Sequence, residues 1–289
     1  MTGALNETPP APEESPMEFH KPKPIRNWRE FLKEFGTIVL GVSVALAAEQ
    51  AVEWWHWRGQ VAETRTMIAS ELAVSVGRGI FRLRTGKCIE RRLDELGAIL
   101  DTASKKGQLP PLGDIGTPPR GVWLSGAWDS AQASQVAVHF PRQELAATIR
   151  VYKFIQKADE FSTAEISQWN ERYAMVGPGR RLDAASEARL RSAMSQARVL
   201  GRTMTGVGQN IIVNVKALGP SFSDRDLAYI AQGEREPGPT SRNDYNVLGT
   251  ICLPIEKAPA TYGQGGFGYI SAHNDQSLKT LPKFGKGAR

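Results

Sequence analysis

The run Phe35–Trp57, FGTIVLGVSVALAAEQAVEWWHW, limits what this chain can become more than any other stretch. Its first fourteen residues, Phe35–Ala48, carry no charge and no proline and are almost all apolar or small. Crossing about 30 Å of hydrocarbon takes roughly 20 helical residues, so this apolar core alone falls short. Continued through Ala51 and Val52 to Trp54, Trp55 and Trp57, the segment reaches spanning length. Tryptophan favours the headgroup level, where an apolar ring and a polar N–H are both satisfied. Trp28 on the near side and the Trp cluster on the far side therefore bracket a span.

The flanks set an orientation. Lys21, Lys23, Arg26, Arg29 and Lys33 precede the span, whereas Arg58 and Arg65 are the basic residues just after Trp57. Basic residues near a span stay cytoplasmic, which predicts an inner N-terminus and a C-terminal part in the bacterial periplasm. Two other readings compete with a retained signal anchor. Ala45-Leu46-Ala47 is an A-x-A site after an apolar core, as in a cleaved signal peptide, although the preceding region is long for one. A short apolar run also fits a buried helix of a soluble protein. The anchor is preferred because the aromatic residues flank it and a helical pattern continues beyond them.

The 289 residues allow one or two domains, and 41% apolar residues are enough to build a core. The net charge of +6 is spread along the chain, so it reads as solvated surface plus a lipid-facing collar rather than a nucleic-acid patch. Cys88 and Cys252 lie in neither a C-x-x-C nor a zinc spacing, and the sequence leaves open whether they pair.

Four segments follow in order. Residues 1–27, Pro-rich and acidic at first, are expected to form a disordered cytoplasmic tail, with Asn27 a candidate helix cap. Residues 28–57 are the transmembrane anchor. Residues 58–233 are read as an extracytoplasmic helical bundle. There, Ile68, Leu72, Val76, Ile80 and Leu83, then Ile89, Leu93, Leu96 and Leu100, form apolar stripes. Gly77, Gly79 and Gly86 mark places where that helix could bend, and Arg78, Arg82, Arg84, Arg91 and Arg92 read as solvated. A Pro- and Gly-rich loop, residues 107–121, leads to a short helix with Trp128, Ala131 and Gln135 on one side. A longer helix from Pro141 turns Leu145, Ile149, Tyr152, Ile155, Ile166, Trp169 and Tyr173 inward. Leu190, Met194, Ala197, Gly201, Met204, Gly208, Ile211, Val215 and Leu218 then alternate spacings of 4 and 3, a heptad seam that Gly219-Pro220 stops. A strand at Asn210–Val215 is the rival there. Ser223 and Asp226 resemble a capping box. Residues 234–289 are expected to be a mostly irregular tail.

Chemistry is sparsely marked. Glu49 and Glu53 lie near the end of the span, where a carboxylate is costly unless it faces water or a partner. They read either as hydrated interfacial groups or as a polar lock between helices. Gly41, Ala45 and Ala48 share a helix face at the spacing that lets a second membrane helix approach, and Trp54 and Trp55 are candidate lipid or partner contacts. The four histidines are scattered, and no nucleophile elbow is present, so no metal, cofactor or catalytic set is assigned. Gly263–Gly268, GQGGFG, lacks the strand and helix of a phosphate loop. Trp123, Trp128 and Trp169 read as core before they read as a ligand cleft.

The run KEFGTIVLGVSVALAAEQAVEWWHWR with MIASELA after it, and the block WDSAQASQVAVHFPRQELAATIRVYKF, together resemble an uncharacterised group of bacterial single-pass membrane proteins. The resemblance covers roughly residues 30–175, with Glu49 and Glu53 a departure from its pattern. It implies a short N-terminal anchor followed by an extracytoplasmic helical domain, and no activity. The expected fold is all-α: one transmembrane helix continuing into a bundle, with an irregular tail. The expected function is a membrane-anchored, non-enzymatic interaction or scaffold protein whose partners are lipid and either its own copies or a membrane protein, through the span and the heptad seam. The alternative is a periplasmic small-molecule-sensing bundle or an accessory subunit of a membrane complex.

Overall fold

The computed structural model describes residues 27–119, 121–234, 249–257 and 282–285. Among the described residues it is all-α apart from a two-residue ladder and one isolated bridge between Leu112 and Gly177. The elements are α1 (Trp28–Lys106), β1 (Gln108–Leu109), α2 (Gly126–Ala133), α3 (Arg142–Arg172), β2 (Arg180–Arg181), α4 (Ala184–Leu218), α5 (Asp224–Glu234) and α6 (Gly249–Cys252), with 3₁₀ turns at Val136–His139, Tyr173–Met175 and Ile255–Lys257. The chain divides into two units, one ending at Trp55 and one beginning at His56.

In the first unit, helical residues from Trp28 are nearly all exposed. An 18-residue apolar window of α1 near the N-terminus has mean hydropathy 1.7 and is 0% buried. Phe35, Ile38, Leu40, Val44 and Leu46 are each more than half exposed. The reading of this run as a buried core helix is therefore not met among the described residues. Trp28, Phe31 and Phe35 stack in succession along one face. Residues 1–26, the expected tail, lie outside the described residues.

In the second unit, paired residues fix the directions of three long helices. Arg65 meets Glu144, Glu71 meets Tyr152 and Arg82 meets Glu165, so α3 runs parallel to α1. Arg198 meets Glu90, Arg191 meets Asp101 and Glu187 meets Ser104, so α4 runs antiparallel to it. A parallel neighbour requires the chain to travel back first. Residues 107–141 do so, passing Arg92 at Ile115, Arg78 at Gly121, Glu71 at Ala127 and Arg65 at Phe140. Gln108 and Leu109 pair with Arg181 and Arg180, tying the two connections together at the far end.

The stripes of α1 and the seam of α4 are buried as their periodicity predicts, except that Leu218 is only half-buried. Asn210–Val215 is helical, so the strand alternative is removed. Gly219, with φ +66°, ends α4, as its pairing with Pro220 suggests. Ser223 and Asp226 cap α5 reciprocally, each backbone N–H donating to the other side chain, at 2.9 and 3.2 Å.

Three expectations are corrected. Gly77 and Gly79 are close-packing points rather than bends: a Cβ on Gly79 would lie 3.0 Å from the Gly208 carbonyl oxygen, and one on Gly77 2.7 Å from that of Tyr229. Ile149 is exposed, and Thr148 and Val151 face inward instead. Gln135 is exposed and left-handed, φ 62°, because the chain turns there into the Val136–His139 turn. Within residues 249–257, α6 and a 3₁₀ turn form and Ile251 is fully buried, while most of the expected irregular tail lies outside the described residues.

Candidate functional site

Gly41, Ala45, Ala48, Glu49, Glu53, Trp54 and Trp55 all lie on α1 within the first unit, and all are exposed. A Cβ on Gly41 would meet nothing within 4 Å. Helical geometry puts Gly41, Ala45 and Ala48 on one face and Glu49 with Glu53 one turn apart. This is an exposed apolar surface with a polar end.

Sequence reasoning missed a polar layer inside the second unit. Arg82 donates to both oxygens of Glu165, at 2.5 and 2.7 Å, and to the Gly201 carbonyl at 3.2 Å. Both side chains are almost wholly buried. Arg172 donates to the Ala193 carbonyl at 2.9 Å and lies 4.0 Å above the Trp169 ring. Burial pulls the Arg172 pKa down to about 9, against the opposing attraction of Glu165. Arg92, also wholly buried, donates to Glu95, to the Ile115 carbonyl and to the Leu253 carbonyl. The reading of Arg82 and Arg92 as solvated is corrected. Their signal was present: Arg82, Thr85, Ile89, Arg92 and Leu96 recur at 3 and 4, as do Ile155, Ala158, Ser162, Glu165, Trp169 and Arg172. Charged residues that keep the phase of an apolar stripe mark a buried pair.

The second feature missed by sequence is a clamp on the described part of the tail. Cys88 and Cys252 form a disulfide across a separation of 164 residues. Arg91 donates to the Cys252 carbonyl and Arg92 to that of Leu253, so the bridge and two guanidinium groups hold one short segment. Ile251 packs against the backbone of Gly116, where φ is +71° and a Cβ would lie 2.6 Å from the Ile251 nitrogen. The same Gly116 carbonyl accepts from Trp169 Nε1 at 2.6 Å and from the Tyr173 hydroxyl at 3.1 Å.

Trp123, Trp128 and Trp169 are core residues. Trp128 stacks on Tyr152, whose hydroxyl donates to Glu71 at 2.6 Å. Burial, reinforced by Glu71, pushes that hydroxyl well above its ordinary pKa. Beside Trp123 lies a void of about 20 Å³, room for a water rather than a ligand. A larger cleft, about 630 Å³, is lined by Arg65, Phe140, Glu144, Thr148, Leu218 and Pro220. Arg65 and Glu144 form a two-pronged ion pair there, at 2.7 and 2.6 Å, and Glu144 raises the Arg65 pKa. Among the described residues, no group of three or more His, Cys, Asp or Glu is arranged to hold a metal ion. Gly263–Gly268 lies outside the described residues.

Compared with protein-family models, curated proteins and solved structures, the chain has no match.

Proposed function

We propose that the chain is a membrane-anchored, non-enzymatic interaction or scaffold protein. Residues 28–57 cross a bacterial inner membrane with the N-terminus inside, and the helical domain lies in the periplasm. One observation carries the reading: the apolar window of α1 has mean hydropathy 1.7, yet none of it is buried. Leaving that much aliphatic surface in water is unfavourable, at roughly 25 cal/mol per Å². The Cys88–Cys252 bridge adds support, because disulfides persist in oxidising compartments such as the periplasm. The heptad seam of α4 is not available for self-association, since it is spent on packing inside the unit. Homo-oligomerisation, or docking to another membrane protein, therefore falls to the exposed face of Gly41, Ala45 and Ala48.

Reporter fusions placed before Trp28 and after Leu218, with N-terminal sequencing of the mature protein, test the topology. An inner signal before Trp28, an outer one after Leu218 and an intact N-terminus are expected. Cleavage after Ala47 or an inner signal at both positions overturns the reading. Sedimentation in detergent tests association, and a clean monomer without a cross-linked membrane partner removes the scaffold role. The alternative of a small-molecule-sensing domain has its best support in the cleft beside Arg65. A ligand screen by melting temperature, with Arg65→Gln as control, decides it.

A further inference from the structure

We infer that the second unit binds one monatomic anion, a halide such as chloride, in the void beside Trp123, between Arg78 and Arg82. Every residue of this site lies beyond His56, so the inference stands apart from the anchor reading.

Size limits the guest. The void measures about 20 Å³, above the roughly 10–15 Å³ that a single water needs. A halide ion, scarcely larger than a water, fits that space, and an oxyanion or an organic acid does not. Arg78, Phe81, Arg82, Gly121, Trp123 and Met204 contribute to the wall.

Hydrogen-bond chemistry separates an ion from a water. Arginine and tryptophan side chains donate and cannot accept, and a methionine sulfur accepts only weakly. A water brings two O–H groups for which those side chains have no good acceptor. A halide brings none and takes several N–H groups at once. Arg82, 3% exposed, spends Nη1 and Nη2 on Glu165 and the Gly201 carbonyl. Its Nε is buried and has no acceptor among the described residues. A buried donor of this kind calls for a water or an ion, and the donor-only side chains select the ion. Arg78 brings a second guanidinium group. A Cβ on Gly121 would lie 3.2 Å from Arg78 Nε, so the glycine leaves that side chain its room.

Charge points the same way. Glu165 is bonded to Arg82, and it is also the carboxylate whose attraction opposes the effect of burial on Arg172. Arg172 is wholly buried, and with its pKa pulled down by burial to about 9 it still carries its proton at neutral pH. One carboxylate thus serves two guanidinium groups, which leaves a positive charge that an uncharged guest does not offset. Buried charges are paired, and the void with Arg82 in its wall gives a counter-ion a place.

The test uses the full chain in detergent, in gluconate buffer with chloride or bromide exchanged in at constant ionic strength. Expected are a saturable rise in melting temperature, chloride NMR line broadening that bromide competes away, and an anomalous bromine peak between Arg78 and Arg82 in crystals grown in bromide. Arg78→Met is expected to weaken halide binding at least tenfold. Gly121→Ala keeps every charge and only crowds the Arg78 side chain, and it is expected to weaken binding severalfold. Arg189→Gln, at an exposed position, should leave binding unchanged. A melting temperature indifferent to the exchange overturns the inference, as does a halide response that survives in both Arg78→Met and Gly121→Ala. Bromine peaks confined to the surface, with a water in the void, also overturn it. Should Arg78→Met fail to fold, Gly121→Ala and the bromine peak decide.

Discussion

Glu165 on α3 takes both terminal nitrogens of Arg82 on α1, at 2.5 and 2.7 Å, in a layer from which water is nearly excluded. Removing one member leaves an unpaired charge in the core. Glu165→Ala is expected to lose about 3–5 kcal/mol of unfolding free energy, whereas Arg82→Met with Glu165→Leu recovers most of it. Urea titration of the single and double variants measures the difference.

Close approach of α1 and α4 at Gly79 and Gly208 predicts a contrast among glycines. Gly79→Ala would drive a methyl against the Gly208 carbonyl and Ile212, costing about 1–3 kcal/mol. Gly97, on the same helix, has nothing within 4 Å of its would-be Cβ. Gly97→Ala is expected to gain about 0.5–1 kcal/mol. Melting temperatures that move in opposite directions confirm the packing.

The Cys88–Cys252 bridge predicts a redox dependence of stability. Cys88→Ser with Cys252→Ser is expected to cost about 2–4 kcal/mol. Hydrogen exchange should rise first around Ile115, Gly116 and Ile251, which the clamp holds together. Reductant should reproduce the effect in the native chain and have none in the double variant.

Asp183 caps α4, accepting from the Ser186 N–H and hydroxyl, each at 2.8 Å, and these bonds hold its pKa below 3.8. The folded-state value is thus lower than the unfolded one. The resulting stabilisation is complete above the unfolded value and is lost as pH falls through the lowered one. Asp183→Asn keeps the cap without the titration, so its melting temperature is expected to lie slightly below that of the native chain at neutral pH and to match it in acid.

Much of this architecture could be read from spacing alone. The stripes of α1, the seam of α4 with its Gly219-Pro220 stop, and the Ser223–Asp226 box each involve residues within a turn or two of one another, where periodicity and capping operate. Arg82, Arg92 and Arg172 escaped because a basic side chain is read as solvated by type, and their acceptors lie far along the sequence: Glu165 is 83 residues from Arg82, and Leu253 is 161 from Arg92. The pairing of Cys88 with Cys252 stayed open in the sequence for the same reason, their separation of 164 residues. The seam was legible, but its partner was not: the same 4 and 3 spacing serves a neighbouring helix of the chain or one of another copy.

The backward course of residues 107–141 has a price in time. Each α1 residue that pairs with α3 must wait for a partner about 80 residues later: 79 for Arg65, 81 for Glu71 and 83 for Arg82. A ribosome that has just finished the C-terminal half of α1 has made nothing to cover its apolar stripes, and Cys88 carries a bare thiol until Cys252, 164 residues later, has been made. Nascent chains arrested before about Glu165 should therefore be the species that chaperones hold and proteases cut.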